Sequence, residues 1–143
     1  MSTGRTAPGR VLALDPGEAR IGVAVCDSGR AMAVPLASIP AEPVGAARCA
    51  EVARDESVVA VVVGLPLRLD GTTGDAAVRA KVFADDLRRE LAADGVEVAL
   101  FDERLTTVTA AARLRDAGVP ARSARSRVDS AAAVVLLEAW LAR

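Results

Sequence analysis

The sequence predicts an α/β fold: a five-stranded mixed sheet, three antiparallel strands then two parallel, flanked by helices. Three observations carry that expectation. The first forty residues hold three short runs rich in Val, Ile and Leu, separated by turn residues and not by helices. The run VVAVVVG is apolar at every position, as a strand covered on both faces should be. The segments that follow it repeat their apolar residues at helical spacing.

RVLALD (10–15), RIGVAVCD (20–27) and AMAVPLAS (31–38) are the three antiparallel strands, joined by the turn segments PGEA and SGR. SIPAEP then leads into a helix over VGAARCAEVARDE, with Pro43 suited to its first turn. VVAVVVG (58–64) is a central parallel strand. After the loop LPLRLDGTTG, a helix from about Asp75 to Ala93 repeats Ala76, Ala80, Phe83, Leu87 and Leu91, with Gly95 at its C-cap. VEVALF (96–101) is the fifth strand. TTVTAAARLRDAG forms a short helix stopped by Gly118 and Pro120, and SRVDSAAAVVLLEAWLAR a helix apolar nearly all round, hence buried. Right-handed crossovers set strands four and five parallel to strand one. The strand tips Asp15, Gly64-Leu65-Pro66 and Asp102-Glu103 then converge on one crevice at a topological switch point.

Composition narrows the chemistry. A chain of 143 residues, 52% apolar and 26% charged, reads as one soluble domain, residues 10–143, behind a flexible N-terminal tail of 1–9. Its apolar runs are too short to span a membrane and MSTGRTAPGR lacks a secretion signal's apolar core, so a cytoplasmic protein with no membrane partner is expected. Cys26 and Cys49 have no metal-ligand spacing and read as reduced, buried thiols. The absence of histidine excludes Ser-His and Cys-His nucleophiles and His-ligated zinc. What remains is carboxylates, Lys81, arginines, hydroxyls, or a metal held by oxygens. The net charge is −1, yet six arginines between 104 and 127 face Asp116 alone, a density suited to phosphate. With Lys81 the only lysine, a chain-wide Arg/Ala bias is the bland account of the same cluster.

Three acids stand where elements should meet. Asp15 ends a strand before Pro16-Gly17, and Glu103 ends another beside Asp102. Asp129 lies just inside the N-terminal turn of the last helix, on one face with Ala132, Ala133, Leu136 and Trp140, and so points at the sheet. Each alone also reads as a turn residue, a strand end or a cap. Together, three clustered carboxylates need a raised pKa or a divalent cation. Oxygen-only ligands favour Mg²⁺ or Mn²⁺, and paired metals roughly 3.5–4 Å apart serve in-line phosphoryl displacement. Arg104 would pair a phosphate or Asp102, and Thr106 or Thr107 would cap a helix whose N–H groups suit phosphate. Phe83, Phe101 and Trp140 are all core candidates, which leaves no stacking platform and predicts recognition by backbone and shape.

LALDPGEARIGVAV, VVVGLPLRLDGTTG, FDERLTTVTA and RVDSAAAVVLLEAWL, in this order and at these separations, resemble the YqgF/RuvX family from about residue 10 to 142. The resemblance implies an RNase H-like fold related to Holliday-junction resolvases. It also implies a metal-dependent nuclease acting on structured RNA or branched DNA, with maturation of the 5′ end of pre-16S ribosomal RNA the usual assigned role. The family's metal-holding catalytic carboxylates fall on Asp15, Glu103 and Asp129, its Gly-Leu-Pro loop on Gly64-Leu65-Pro66, its DGT on Asp70-Gly71-Thr72, and its basic residue before the helix aspartate on Arg127. Arg104, Arg125 and Arg127 are then the phosphate contacts. Arg20 is the cation of the loop after Asp15, where members often carry lysine. A junction resolvase would act as a homodimer, through the first helix or RLRDAG; an RNA-processing enzyme could act as a monomer. LDPGEARIGVAV also resembles the first phosphate loop of actin-like and sugar-kinase ATPases, so a single-lobe nucleotide-binding module remains an alternative, as does a non-catalytic nucleic-acid-binding module.

Overall fold

The computed structural model describes residues 9–68, 70–103 and 121–143, with 121–129 as backbone. Its elements are β1 (Val11–Pro16), β2 (Arg20–Cys26), β3 (Ala33–Pro40), α1 (Gly45–Asp55), β4 (Ala60–Leu65), α2 (Asp75–Leu91), a 3₁₀ turn (Ala92–Asp94), β5 (Glu97–Asp102) and α3 (Ala121–Ala142). The sheet runs β3-β2-β1-β4-β5. β1, β2 and β3 pair antiparallel, while β4 pairs parallel with both β1 and β5, as the strand spacing predicts. The helix expected over TTVTAAARLRDAG and the tail 1–8 lie outside the described residues.

Side-chain alternation sorts the strands onto two faces. Leu12, Leu14, Ile21, Val23, Val61 and Val63 pack against Cys49, Ala50 and Ala53 of α1 and Ala84, Leu87 and Leu91 of α2. Val11, Ala13, Ala24, Cys26, Ala60 and Val62 pack against Ala133, Leu136, Leu137 and Trp140 of α3. Each large aliphatic buried this way contributes roughly 1.5–3 kcal/mol. Phe83 and Phe101 are half-buried against these clusters and Trp140 is buried, so the aromatics do belong to the core. Both cysteines are free and buried, and burial pushes the Cys49 thiol up to about 12, well away from reactivity. Among the described residues no helix is long and apolar enough to cross a membrane.

Two boundaries differ from expectation. Pro43 is not in the first turn of α1: the helix starts at Gly45, after Val44 at its N-cap. A Cβ on Gly45 would stand 3.0 Å from Ile21 Cδ1, so the helix begins where its backbone can rest on β2, past both prolines. The last helix starts at Ala121 and not near Ser126, because ARSAR is itself strongly helix-forming. Asp129 therefore lies about two turns in, beyond the reach of a cap or of the helix-terminal dipole. Gly95, at φ 69°, follows the 3₁₀ turn in the left-handed conformation expected of it.

Candidate active site

The alternation that places Val11 and Ala13 under α3 puts Asp15 on the same face at the tip of β1. On β4 it carries Ala60, Val62 and then Gly64 to that face, and on β5 Phe101 and then Glu103. Asp102 falls on the opposite side. That resolves the adjacent carboxylates at this tip: one acid serves each face of the sheet.

β4 stands between the two acid-bearing strands, so Glu103 can meet Asp15 only by crossing it. Gly64 makes room. A Cβ there would lie 2.5 Å from Glu103 Cδ and 2.8 Å from Oε2, which means the Glu103 side chain occupies the space that any other residue would fill. The Glu103 N–H donates to the Leu65 carbonyl at 3.1 Å, extending the β4–β5 pairing beyond Leu65 and Asp102 and fixing the base of the side chain. On its other flank Asp15 is paired with Gly22 of β2, a second glycine at this tip.

The Glu103 carboxyl is 6% exposed, and its pKa is raised to about 9. Burial is the largest cause, followed by the hydrogen bond to the Asp15 side chain and then by the negative charges of Asp15 and Asp102. At neutral pH Glu103 keeps its proton and donates it toward Asp15. A proton thus does the work of a counter-charge between the two acids.

α3 crosses this face and is held there by Ser130. Its fully buried hydroxyl accepts a hydrogen bond from the Val23 N–H at 3.1 Å and donates one to the Leu36 carbonyl at 2.6 Å. Sequence reasoning passed over Ser130 as one small residue in DSAAAVV. The signal was available: a lone hydroxyl on an otherwise apolar helix face requires a partner when buried. Arg20 donates from Nε to Ser38 Oγ at 2.6 Å and from Nη2 to the Ser38 carbonyl at 2.9 Å, so it braces the end of β3. In the DGT loop, Asp70 Oδ1 accepts from the Thr72 N–H and hydroxyl at 2.9 and 2.7 Å, shaping the turn before α2. A cavity of about 450 Å³ lies between the Pro16–Glu18 turn, α1 and α2, and contains neither Asp15 nor Glu103.

Of the sequence-predicted site residues, the structure brings Asp15 and Glu103 into contact and places residues 125, 127 and 129 along α3. The side chains of Arg125, Arg127 and Asp129, and all of Arg104, Thr106 and Thr107, lie outside the described residues. Among the described residues no three His, Cys, Asp or Glu side chains gather into a metal-holding group. The Asp15–Glu103 pair nonetheless fits a hard cation: its donors are all oxygen, and it is an acid pair that needs a positive partner to ionise fully.

A mixed five-stranded sheet in the order β3-β2-β1-β4-β5, flanked by helices, is an RNase H-like fold. The chain belongs to the RuvX family: the family profile described as "RuvX: Holliday junction resolvase" matches residues 9–143. It is 47% identical over 141 residues to the "Putative pre-16S rRNA nuclease" of Nocardia farcinica, covering 93% of this chain and 77% of that one. It is also 47% identical over 138 residues to the protein of the same name from Anaeromyxobacter sp. strain K, covering 94% and 97%. Among solved structures, T. thermophilus RuvC in complex with a Holliday junction substrate aligns with a TM-score of 0.56 at 20% identity, covering 94% of each chain. The yeast mitochondrial Holliday junction resolvase Ydc2 aligns with a TM-score of 0.58 at 10% identity, covering 94% of this chain and 78% of that one. At these identities the two structures bear on the fold alone.

Proposed function

We propose that residues 10–143 form a single nuclease domain that hydrolyses phosphodiester bonds with Mg²⁺ or Mn²⁺ held by Asp15, Glu103 and Asp129. Its substrate is structured RNA, specifically the 5′ end of pre-16S ribosomal RNA. The observation that carries this reading is Glu103 reaching over Gly64 to Asp15, which builds a buried oxygen-only pair at the strand tips. When bound, paired hard cations supply an activated water and stabilise both oxygens of an in-line displacement.

The chain's own part is to hold and orient. Asp15, on the strand between β2 and β4, is the shared donor, and Glu103 closes the pair from β5. Loss of the proton between them leaves both carboxylates charged and aimed at one point. Asp129 completes the set from α3. Arg104, Arg125 and Arg127 contact phosphates, as do Thr106 and Thr107, and Arg20 borders the strand path from its seat on Ser38. The names carried by relatives at 47% identity support RNA over branched DNA.

The test is cleavage by purified protein, with Mn²⁺ or Mg²⁺, of a 5′-extended 16S precursor fragment, RNA hairpins, single strands and four-way DNA junctions. The precursor should be cut, and Asp15→Asn should lower the rate roughly 10³-fold or more. Preferential, symmetric double cutting of junctions by a dimer would replace the RNA reading with resolution. Equal cleavage by wild type and Asp15→Asn would assign the activity to a contaminant and end the carboxylate mechanism.

A further inference from the structure

We propose that Ser130 is a positioning residue whose hydroxyl, set between the Val23 N–H and the Leu36 carbonyl, fixes where α3 presents residue 129 to the carboxylate pair. The inference rests on the reading of Asp129 as a metal donor and names what holds that donor in place.

The β2–β3 ladder is interrupted at this spot. Val23 pairs with Leu36 and Ile21 with Ile39, so Ala37 and Ser38 of β3 face Gly22 alone. Such a bulge opens the ladder and kinks the strand. Ser130 fills the opening: Oγ accepts from one strand at 3.1 Å and donates to the other at 2.6 Å, with no exposure to solvent. A hydroxyl can accept and donate at one point, which neither an alanine nor an aliphatic side chain can do. Arg20 secures the same bulge through Ser38 Oγ and carbonyl.

Among the described residues, α3 also packs on the sheet through the apolar Ala133, Leu136, Leu137 and Trp140. Apolar burial is non-directional and tolerates small shifts of a helix along or about its axis. Hydrogen bonds weaken steeply with misalignment and do not tolerate them. A slip of one residue moves a helix by about 1.5 Å and 100°, far outside the roughly 0.2 Å tolerance of a metal–ligand distance. The Ser130 bridge is placed to prevent it. Val23 is paired with Leu14 of β1, and the next pair is Gly22 with Asp15, so the hydroxyl registers α3 on β2, the strand that lies beside the first carboxylate.

The experiment is titration of nucleic-acid-free protein with Mn²⁺, well below the melting temperature, alongside hydrogen exchange at the Val23 amide. Ser130→Ala should weaken Mn²⁺ binding about tenfold or more and speed Val23 exchange, while Ser130→Thr, which keeps the hydroxyl, should restore most of the affinity. Leu137→Ala, equally buried on the same helix, should lower the melting temperature yet leave Mn²⁺ affinity within about twofold. If Ser130→Ala does not stay folded, the near-isosteric Ser130→Cys, a weak donor and acceptor, gives the same comparison. Wild-type affinity in the Ser130 variant, or an equal loss in Leu137→Ala, overturns the proposal. Asp129→Asn separates the two layers: unchanged affinity there sinks the three-carboxylate reading and the positioning role with it. A loss in Asp129→Asn with none at Ser130 removes the positioning role alone.

Discussion

The two faces of the sheet are made of different material. Toward α1 and α2 the strands present Leu12, Leu14, Ile21, Val61 and Val63, met by Leu87 and Leu91. Toward α3 they present Ala13, Ala24 and Ala60 among Val11 and Val62, with Gly22 and Gly64 nearest the strand tips, met by Ala133, Leu136, Leu137, Trp140 and the hydroxyl of Ser130. Large aliphatics fill volume and supply the burial that holds the domain together. Small residues let a helix and an acid side chain come close to strand backbone. Both faces hold apolar core, and the small residues gather on one of them, around the acid pair. The first face offsets the cost of burying carboxyls under the second.

The largest break in that division should come from Leu87→Ala, which opens a cavity on the packing face and should cost roughly 2–5 kcal/mol by denaturant unfolding. Cleavage and Mn²⁺ affinity measured below the new melting temperature should be unchanged; a parallel fall in both would show that the faces are not independent. Gly64→Ala is the converse. Its Cβ would displace Glu103, so kcat/KM should drop roughly 30-fold, about 2 kcal/mol, with thermal stability nearly intact. Full activity in that variant would mean that Glu103 need not cross β4.

A pH titration sharpens the polar side of the comparison. Because the Glu103 pKa rises from 4.5 to about 9 on folding, the folded chain holds a proton that the unfolded chain releases. Its contribution is complete below about pH 4.5 and is lost as pH climbs toward about 9. Metal-free protein should accordingly lose stability relative to Glu103→Gln as pH rises from 5 to 9, read from paired urea titrations. Excess Mn²⁺ should reverse the slope for wild type, since the cation replaces the proton. Parallel curves for the two proteins would show that Glu103 is ionised in the folded state.

Much of this was legible in the sequence. Five runs of branched aliphatics, the turn residues between them and the right-handed crossovers together specify the sheet order. Strand tips at Asp15, Gly64 and Glu103 then fall at one crevice. Asp102 beside Glu103 was visible too, but its separation onto the other face follows only once β5 is set in the sheet. At the start of α3 two local signals compete: Asp129 resembles a cap residue, while the preceding ARSAR favours continuing the helix, and the helix does continue to Ala121. Arg20 read simply as a cation for phosphate until Ser38 was found beneath it.

What the chain determined by itself is whatever depends on a few neighbouring residues: strand or helix, which side chains share a face, where each run stops. Those follow from backbone geometry and side-chain period alone. Tertiary structure decided the rest. β4 lies between β1 and β5, so a glycine becomes the passage for a glutamate, and a bulge opens beneath α3, so a serine becomes its anchor. Both are contacts between residues far apart along the chain, whose partners exist only after the sheet has closed on its helices.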